Sequence, residues 1–286
     1  MLTEVVCGET ALRGISVGGV YTSIGAPTYG VLFDVGVPLR SLAGLDTWLI
    51  SHAHVDHIGS LVAQLGIRWL HGKTTPPRVL LPAEAVADVT AMLAAAARSQ
   101  RGHVAIEAVA MQANDEVHLR GDLWVKAVQT FHPVPSLGYL LFRKVMKLRA
   151  EFAALPGAEI AALRKAGHAI ADESRRYELA YVTDTLPSVF DHAPEILDCN
   201  VVMSECTFWD DRKSRAAAKA GCHIHLDDML ERAPQLAAAP MAHLVLMHVS
   251  QLYRTDELAA LVAARVPAGL REKIRIFANP AAPWFG

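Results

Sequence analysis

The sequence has few cysteines and no long apolar run, and both absences narrow the class of protein it can encode. Its four cysteines are scattered without a Cys-x-x-Cys pair, which predicts free thiols in a reducing compartment rather than a disulfide framework. The first residues lack a basic segment followed by an apolar one, so we expect no signal peptide. No apolar run approaches the roughly 20 residues that a membrane span needs. We therefore expect a soluble cytoplasmic protein with no membrane partner.

A strong excess of either charge is lacking as well. The formal net charge is −2, which argues against a protein that coats nucleic acid non-specifically but leaves room for a local basic patch. Hydrophobic residues make up 52% of the 286 residues and charged residues 20%, so a packed interior is expected and disorder is not. This length allows one large domain or two small ones.

Short apolar runs alternate with segments of helical character along the chain. Strand-like runs include 30–36, 47–51, 78–81, 178–182, 201–203, 243–247 and 274–277. Residues 82–98 are rich in alanine and predicted to be helical, as is the more charged stretch from Arg143 to about Arg176. The order of strands and helices predicts an α/β fold, a four-layer αββα sandwich in one domain over residues 1–286.

A histidine cluster follows the apolar run 47–51 directly. The motif is His-x-His-x-Asp-His, and it brings His52, His54, Asp56 and His57 within six residues. Imidazole and carboxylate are ligands that zinc, manganese and iron accept. A turn after a strand can direct the two residues His52 and His54 toward one metal position and the two residues Asp56 and His57 toward a neighbouring one. The alternative is a set of solvated loop histidines. Clustering of titratable rings is unfavourable without a cation, so we favour two adjacent metals.

Further ligand types follow three other apolar runs. His132 comes after 128–131, Asp184 after 180–183 and His248 after 244–247. Each alone is more often a cap or turn residue. If the strands of a sandwich point one way, their ends converge on one rim, and together with the histidine motif these residues are predicted to complete a site for two metals.

With these motifs the chain resembles the metallo-β-lactamase superfamily and, more narrowly, the short ribonuclease Z (tRNase Z) enzymes of the plant and cyanobacterial type. The matching segments are Phe33-Asp-Val-Gly36, His52-Ala-His-Val-Asp-His-Ile-Gly59, the run 76–82, Thr130-Phe-His-Pro-Val-Pro-Ser-Leu-Gly-Tyr139, Val182-Thr-Asp-Thr185, Ser204-Glu-Cys-Thr-Phe208, His223-Ile-His225 and His248-Val-Ser250. The resemblance covers about 30–254 and implies the metallo-β-lactamase αββα fold.

The resemblance also implies a ligand set for two divalent metals, most simply zinc, with manganese or iron as alternatives. One metal would be held by His52, His54 and His132, the second by Asp56, His57 and His248, and Asp184 would bridge them. A hydroxide between the metals would be the nucleophile, and Asp56 would orient it and take its proton.

A second pair of residues is implied for the departing oxygen of the substrate. In the family a histidine downstream of the Glu-x-Thr motif protonates that oxygen and is oriented by the glutamate. Here the pair would be His223 and Glu205, with His225 as a rival because its spacing to His248 differs slightly from the family pattern. The structural alternatives are a surface histidine and a capping or ion-paired glutamate.

Several motifs depart from the family pattern. Gly-Asp-Thr is replaced by Thr183-Asp184-Thr185, His-Glu-Ala-Thr by Ser204-Glu-Cys-Thr207, and the arginine after the last histidine is displaced to Arg254. Every metal ligand is kept. These departures therefore bear on the substrate rather than on hydrolysis.

A basic segment provides a candidate RNA contact. The stretch 143–177, predicted to be a short helical insertion, contains eight arginines and lysines, as phosphate contacts would require. The alternative is an ordinary solvated helix face, because Arg143, Lys147 and Glu151 are spaced four residues apart.

Three functions are consistent with these observations. The first is an endoribonuclease that removes the 3′ trailer from precursor tRNA. The second is a small-molecule hydrolase on the same fold, for instance a cyclic-nucleotide or other phosphodiesterase or a lactonase, and the third is a non-catalytic binding protein. A homodimer is expected from the resemblance.

Overall fold

Two mixed seven-stranded sheets form the centre of the protein, in a computed structural model that describes residues 2–102 and 104–278. Strands β1 to β7, in this spatial order, form the first sheet: Thr3–Cys7, Thr10–Val17, Tyr21–Ala26, Val31–Phe33, Thr47–Leu49, Arg78–Pro82 and Glu107–Met111. Strands β8 to β14 form the second: Glu116–Arg120, Leu123–Gln129, Leu137–Leu148, Ala171–Val182, Val201–Glu205, His243–Met247 and Ile274–Ile276.

Ten helices connect and cover these strands within the described residues. Helices α1 to α10 span Val55–Ile58, Leu61–Leu70, Val86–Gln100, Gly157–Lys165, Val189–His192, Arg215–Ala220, Leu226–Glu231, Ala233–Ala238, Thr255–Arg265 and Ala268–Arg271. Across the part of the chain that the structure describes, none of the helices has the length and apolarity needed to cross a bilayer.

Both sheets change from antiparallel to parallel pairing half-way across. Strands β1 to β4 pair antiparallel and β4 to β7 parallel. In the second sheet β8 to β11 pair antiparallel and β11 to β14 parallel. Because β9 and β11 are both antiparallel to β10, strands β9, β11, β12 and β13 run in one direction, and their carboxyl ends meet at one edge.

Alternate residues of the central strands are buried on opposite faces of each sheet. In the first sheet Leu49 packs between the two sheets, whereas Trp48 faces a separate cluster with α2 and α3. In the second sheet Val201 faces the space between the sheets and Val202 packs against α7, α8 and α9. Burial on both faces explains why these strands are continuous apolar runs. The layers are helix, sheet, sheet and helix, so the predicted αββα sandwich is confirmed.

The prediction of a helical stretch from Arg143 to Arg176 is wrong for most of its length. Strands β10 and β11 pair from Arg143 with Arg176 to Leu148 with Ala171, and between them only α4 and a short 3-10 turn are helical. Charged residues on these strands pair across the ladder, as Lys144 does with Glu173 at 3.6 Å. Cross-strand pairing is a long-range effect that overrides local helical periodicity.

The alternative of a solvated helix face is wrong for the same reason. Arg143 and Lys147 lie on β10, and Glu151 lies in a 3-10 turn at Ala150–Phe152, so they do not share a helical face. That the chain is one domain from 1 to 286 stays a prediction. Met1, His103 and 279–286 lie outside the described residues.

Candidate metal centre

The predicted ligands lie at the carboxyl ends of strands from both sheets. The histidine motif follows β5, which pairs parallel with β4 and β6, and continues into the short helix α1. His132, Asp184 and His248 follow β9, β11 and β13. Because these strand ends face one another across the sandwich, four separate segments of chain contribute side chains to one largely buried cluster.

One group of four ligand atoms centres on the ring of His54. Its Nδ1 lies 3.1 Å from His52 Nε2 and 3.0 Å from His132 Nε2. The Oδ2 atom of Asp184 completes the group at 3.8 Å from His52 Nε2 and 3.9 Å from His132 Nε2. All four residues offer atoms that lie within 4.8 Å of one another.

A second group lies on the other side of Asp184. The Oδ1 atom of this carboxylate is 3.4 Å from His57 Nε2 and 3.2 Å from His248 Nε2, and these two nitrogens are 3.3 Å apart. Asp56 Oδ2 lies 3.5 Å from His57 Nε2 and 3.7 Å from His248 Nε2. The two oxygens of Asp184 therefore face different groups, as a bridging ligand would.

The spacing of these atoms fits divalent cations. At zinc–nitrogen distances of 2.0–2.1 Å a tetrahedral site separates its ligand nitrogens by about 3.3 Å, close to the distances between the facing ring nitrogens. Their charge fits as well. Burial, together with neighbouring histidines, lowers the pKa of His52 to about 2, which keeps it in the neutral form that binds metals. Burial alone would raise the carboxyl pKa values of Asp56 and Asp184, but the charges of the neighbouring histidines, and for Asp56 also their hydrogen bonds, hold both well below their usual range.

Two hydroxyl groups and one carboxylate fix which ring nitrogen of three histidines carries its proton. Ser51 Oγ donates to Asp34 at 2.8 Å, so at 3.0 Å from His52 Nδ1 it accepts the imidazole proton. Thr207 Oγ1 donates to Glu205 at 2.5 Å and therefore accepts from His248 Nδ1 at 3.1 Å. His57 Nδ1 donates to Asp34 Oδ2 at 2.7 Å.

When these rings are in the neutral form that binds metals, Nε2 of all three is therefore the atom that faces the site with a lone pair. Outer partners of this kind are what ligand histidines need in order to hold their tautomer and ring orientation. His132 differs, because its buried Nδ1 has no hydrogen-bond partner among the described residues. The arrangement as a whole is one that could hold divalent metal ions.

Glu205 and His223 lie together at the edge of this site. His223 Nδ1 is 3.2 Å from Glu205 Oε2, and its ring stacks on that of His248 with centroids 5.5 Å apart. Glu205 is fully buried and also accepts from the backbone N–H groups of Thr185 at 2.6 Å and Ile224 at 3.1 Å. With its acceptors occupied by donors, the carboxylate fixes His223 with Nδ1 as donor and leaves Nε2 for a substrate.

The rival histidine is placed elsewhere. His225 is buried and caps α7, where its Nδ1 accepts from the backbone N–H of Asp227 at 3.1 Å and its Nε2 lies 3.2 Å from the carbonyl oxygen of Asp210. Both ring nitrogens are used in local structure. The geometry therefore selects His223 as the partner of Glu205.

Charge keeps His223 protonated in the metal-free chain. Burial alone would lower the pKa of His223, but the charge and hydrogen bond of Glu205, with smaller contributions from Asp184 and Asp56, raise it to about 9. The side chain is 20% exposed, so it remains accessible from outside. Two bound dications would oppose this shift because they repel a second positive charge.

Three residues around the ligands have no place in the predicted site: Asp34 and Thr207 contact ligand histidines, and Tyr181 contacts Asp34. Asp34 belongs to a segment that matches the family and Thr207 to the Glu-x-Thr motif, but nothing in either motif specifies a hydrogen bond to a particular histidine. Tyr181 lies within an apolar run without any polar signal. All three act through contacts between distant parts of the chain.

Gly18→Ala is expected to disturb His248. A Cβ at position 18 would lie 2.7 Å from the carbonyl oxygen of His248 and 3.3 Å from its Nδ1, so the turn or the ligand must shift. We expect a loss of about 1–3 kcal/mol in the free energy of unfolding, typical of overpacking, and weaker metal binding. Gly44→Ala is the matched control, since its Cβ would meet open space. Chemical denaturation and metal titration measure both effects, and equal behaviour of the two variants would contradict the prediction.

Comparisons with known proteins agree with this geometry. Residues 30–249 match the family model described as the beta-lactamase superfamily domain. tRNase Z TRZ1 of Arabidopsis thaliana is 31% identical over 259 residues, which cover 90% of this chain and 91% of that protein. Nuclear ribonuclease Z of Triticum aestivum is 36% identical over 160 residues, which cover 54% of this chain and 88% of that protein.

A solved structure supports the fold. The crystal structure of human tRNase Z, short form, aligns with a TM-score of 0.58 at 15% sequence identity and covers 93% of this chain and 95% of that one. With the family model matching most of the chain and a curated relative above 30% identity across nearly its whole length, the chain belongs to the ribonuclease Z (tRNase Z) family of the metallo-β-lactamase superfamily.

Proposed function

We propose that the protein is a metal-dependent endoribonuclease that processes the 3′ end of tRNA. The observation that carries the proposal is the contact between the Glu205–His223 pair and the candidate metal ligands. His223 hydrogen-bonds to Glu205 and stacks on His248, so a proton donor stands beside the candidate ligands. A nucleophile at the ligand groups and an acid near them suit cleavage of a phosphodiester, and the relatives named above are tRNases Z.

Seven residues would hold the metals. They are His52, His54 and His132 on one side, Asp56, His57 and His248 on the other, and Asp184 between them. Bound there, two divalent cations would act as Lewis acids and bring the pKa of a coordinated water close to neutrality. Asp56, beyond its ligand role, has a side chain that keeps 11% of its surface exposed, and it would orient an attacking water and accept its proton.

His223 would serve the leaving oxygen. Its Nδ1 is held by Glu205, so the proton delivered to the departing 3′-oxygen comes from Nε2. Protonation of a poor leaving group in the transition state contributes typically 10²–10⁴-fold to rate. The nucleotide that keeps this 3′-hydroxyl would then lie on the His223 side of the site.

The choice of metal, the oligomer and the compartment are part of the proposal. Zinc is the natural occupant of sites built from imidazole and carboxylate in near-tetrahedral groups, with manganese and iron as competitors. We propose a homodimer, supported by Trp69 and Leu70, which end α2 and are 58% and 74% exposed. A cytoplasmic location is consistent with the free thiols of all four cysteines.

The function is tested with a precursor tRNA that carries a 3′ trailer. Purified protein with zinc or manganese should release the trailer and leave a 3′-hydroxyl on the tRNA. Turnover of bis(p-nitrophenyl) phosphate with no cleavage of the precursor would replace the proposal by a small-molecule phosphodiesterase. Metal binding with neither activity would leave a binding protein.

The basic segment is less available to RNA than its composition indicates. Of its eight basic residues, five form ion pairs with acidic residues: Arg143 with Asp122 and Glu178, Lys144 with Glu173, Arg149 with Asp172, Arg175 with Glu116 and Arg176 with Glu178. Lys147, Arg164 and Lys165 are exposed and form no ion pair among the described residues. Contacts with phosphates would therefore come from the far end of the β10–β11 ribbon, where α4 lies.

Removing the unpaired charges should reduce the salt dependence of RNA binding. The double variant Arg164→Ala, Lys165→Ala is expected to lower the slope of log K against log salt by roughly 1.4–1.8, for two lost phosphate contacts. The control variant Arg175→Ala, Glu116→Ala removes an ion pair of 2.5 Å without changing the net charge and should keep the wild-type slope. Filter binding of precursor tRNA across a salt series measures both, and unchanged slopes in the two variants would exclude the ribbon end as an RNA contact.

A further inference from the structure

A tyrosine from the middle of the core reaches the metal centre from behind. Tyr181 lies on β11 and is fully buried between the two sheets. Its phenol donates to Asp34 Oδ2 at 2.5 Å, across the space between the sheets. The ring stacks on that of Phe33 with centroids 4.5 Å apart and planes at 21°, so packing fixes the position of the hydroxyl.

Asp34 connects Tyr181 to the metal centre. It follows β4 and is fully buried in a left-handed backbone conformation with φ of 53°. Its Oδ1 accepts from the backbone N–H of Ser51 at 2.7 Å, and its Oδ2 accepts from Ser51 Oγ, from His57 Nδ1 and from Tyr181. A non-glycine residue in this conformation is held there by its surroundings, and these bonds are what holds it.

His57 is the ligand whose ring orientation Asp34 fixes. The only polar contact of its Nδ1 closer than 3 Å within the described residues is Asp34, and its Nε2 faces both His248 and the bridging oxygen of Asp184. If the Asp34 carboxylate rotated, the ring of His57 would turn with it and move Nε2 out of its group. Three donors on one oxygen of Asp34 prevent that rotation.

Strand β11 contributes to the metal centre in two ways. It carries Tyr181, which hydrogen-bonds to Asp34 in the other sheet, and it ends just before Asp184, the candidate bridging ligand. We propose that Tyr181 is a positioning residue for the metal centre: it fixes Asp34, and through Asp34 it fixes His57, so that affinity for the metal held by His57 depends on a phenol outside the ligand set. This inference rests on the proposed metal centre.

The chain contains a matched control for the test. Tyr139 on β10 is the direct cross-strand partner of Tyr181 and is also fully buried. It donates its hydroxyl to backbone carbonyl oxygens, of Ile50 at 2.7 Å and of Leu80 at 3.3 Å, rather than to a side chain. Tyr181→Phe and Tyr139→Phe therefore each remove one buried hydroxyl donor from adjacent places. A purely structural role would make the two variants alike.

The experiment compares zinc affinity of wild type and both variants by competition with a chromophoric chelator. Partners of ligand histidines typically contribute 10–100-fold to metal affinity. We expect Tyr181→Phe to weaken binding of one zinc by about tenfold, at the lower end of that range, and Tyr139→Phe to change it by less than about twofold. Thermal denaturation of the metal-free proteins should show similar decreases in Tm for both.

A second measurement is needed if Tyr181→Phe binds less than its full complement of zinc. Visible spectra of the cobalt-substituted proteins report ligand geometry directly, and we expect a shifted band for Tyr181→Phe and the wild-type spectrum for Tyr139→Phe. Equal zinc affinities and identical cobalt spectra in the two variants would overturn the role of Tyr181 while leaving the metal centre intact. A wild-type protein that binds no divalent metal would overturn both proposals, and neither result depends on RNA cleavage.

Discussion

Asp184→Asn is expected to lower kcat for precursor tRNA by about a thousandfold and to reduce the metal content from two ions toward one. The variant keeps the size of the side chain but removes the charge that both ligand groups share, since each oxygen of Asp184 faces a different pair of histidine nitrogens. A loss of about 4 kcal/mol in stabilisation of the transition state corresponds to that factor. Inductively coupled plasma mass spectrometry and single-turnover cleavage measure the two effects.

A surface aspartate in the next helix provides the control. Asp191 on α5 pairs with Arg232 and is 53% exposed, so Asp191→Asn removes the same charge from a place outside the site. An exposed pair of this kind contributes about 0–1 kcal/mol to stability, and kcat should be unchanged. Two metals per chain and near-wild-type activity in Asp184→Asn would show that the carboxylate does not bridge.

The convergence of the ligands could be predicted from the sequence because it depends on strand direction alone. Short apolar runs that end in His132, Asp184 and His248 define strands, and parallel neighbours deliver their carboxyl ends to one edge. The structure places these residues beside the histidine motif, as expected. What a strand pattern cannot specify is which side chain of a second segment reaches behind a ligand.

Asp34 and Tyr181 illustrate this limit. They are 147 residues apart, lie in different sheets, and contact each other only because the sheets pack face to face. The stretch from Arg143 to Arg176 illustrates another limit, since its strands pair across a connection of more than twenty residues and local periodicity does not indicate a partner that far away. In each case the deciding interaction is non-local.

The choice between His223 and His225 shows how a small structural detail favours one of two residues that spacing leaves open. The two are separated by one residue, and both follow the Glu-x-Thr motif at plausible distances. The start of α7 decides between them, because its capping box uses the side chain of His225 and its backbone N–H, which donates to Asp228 at 2.9 Å. His223 takes no part in this cap, and its ring faces Glu205.

His223→Ala is therefore expected to lower kcat by 10²–10⁴-fold, the usual range for loss of a general acid, with little change in metal content. The matched control is His225→Asn, which keeps a capping side chain on α7 and should leave kcat within about twofold, because asparagine caps helices well. Cleavage of precursor tRNA under single-turnover conditions distinguishes them. A large effect at position 225 with none at 223 would reverse the assignment.

The pH dependence of cleavage tests the role of His223 more strictly, because the charge of Glu205 beside its ring determines on which side of the pH profile kcat falls. Glu205 raises the pKa of His223 to about 9 in the metal-free chain, so the protonated acid predominates below that pH and is lost as pH rises through it. Wild-type log kcat should fall on the alkaline side, at a pH lowered by the bound cations, and His223→Ala should lack this fall. Glu205→Gln removes the charge that favours protonation, so its alkaline fall should move to lower pH. A fall that stays in place in Glu205→Gln would mean that another group, such as water at the metals, titrates there, and His223 would then lose its role as the proton donor.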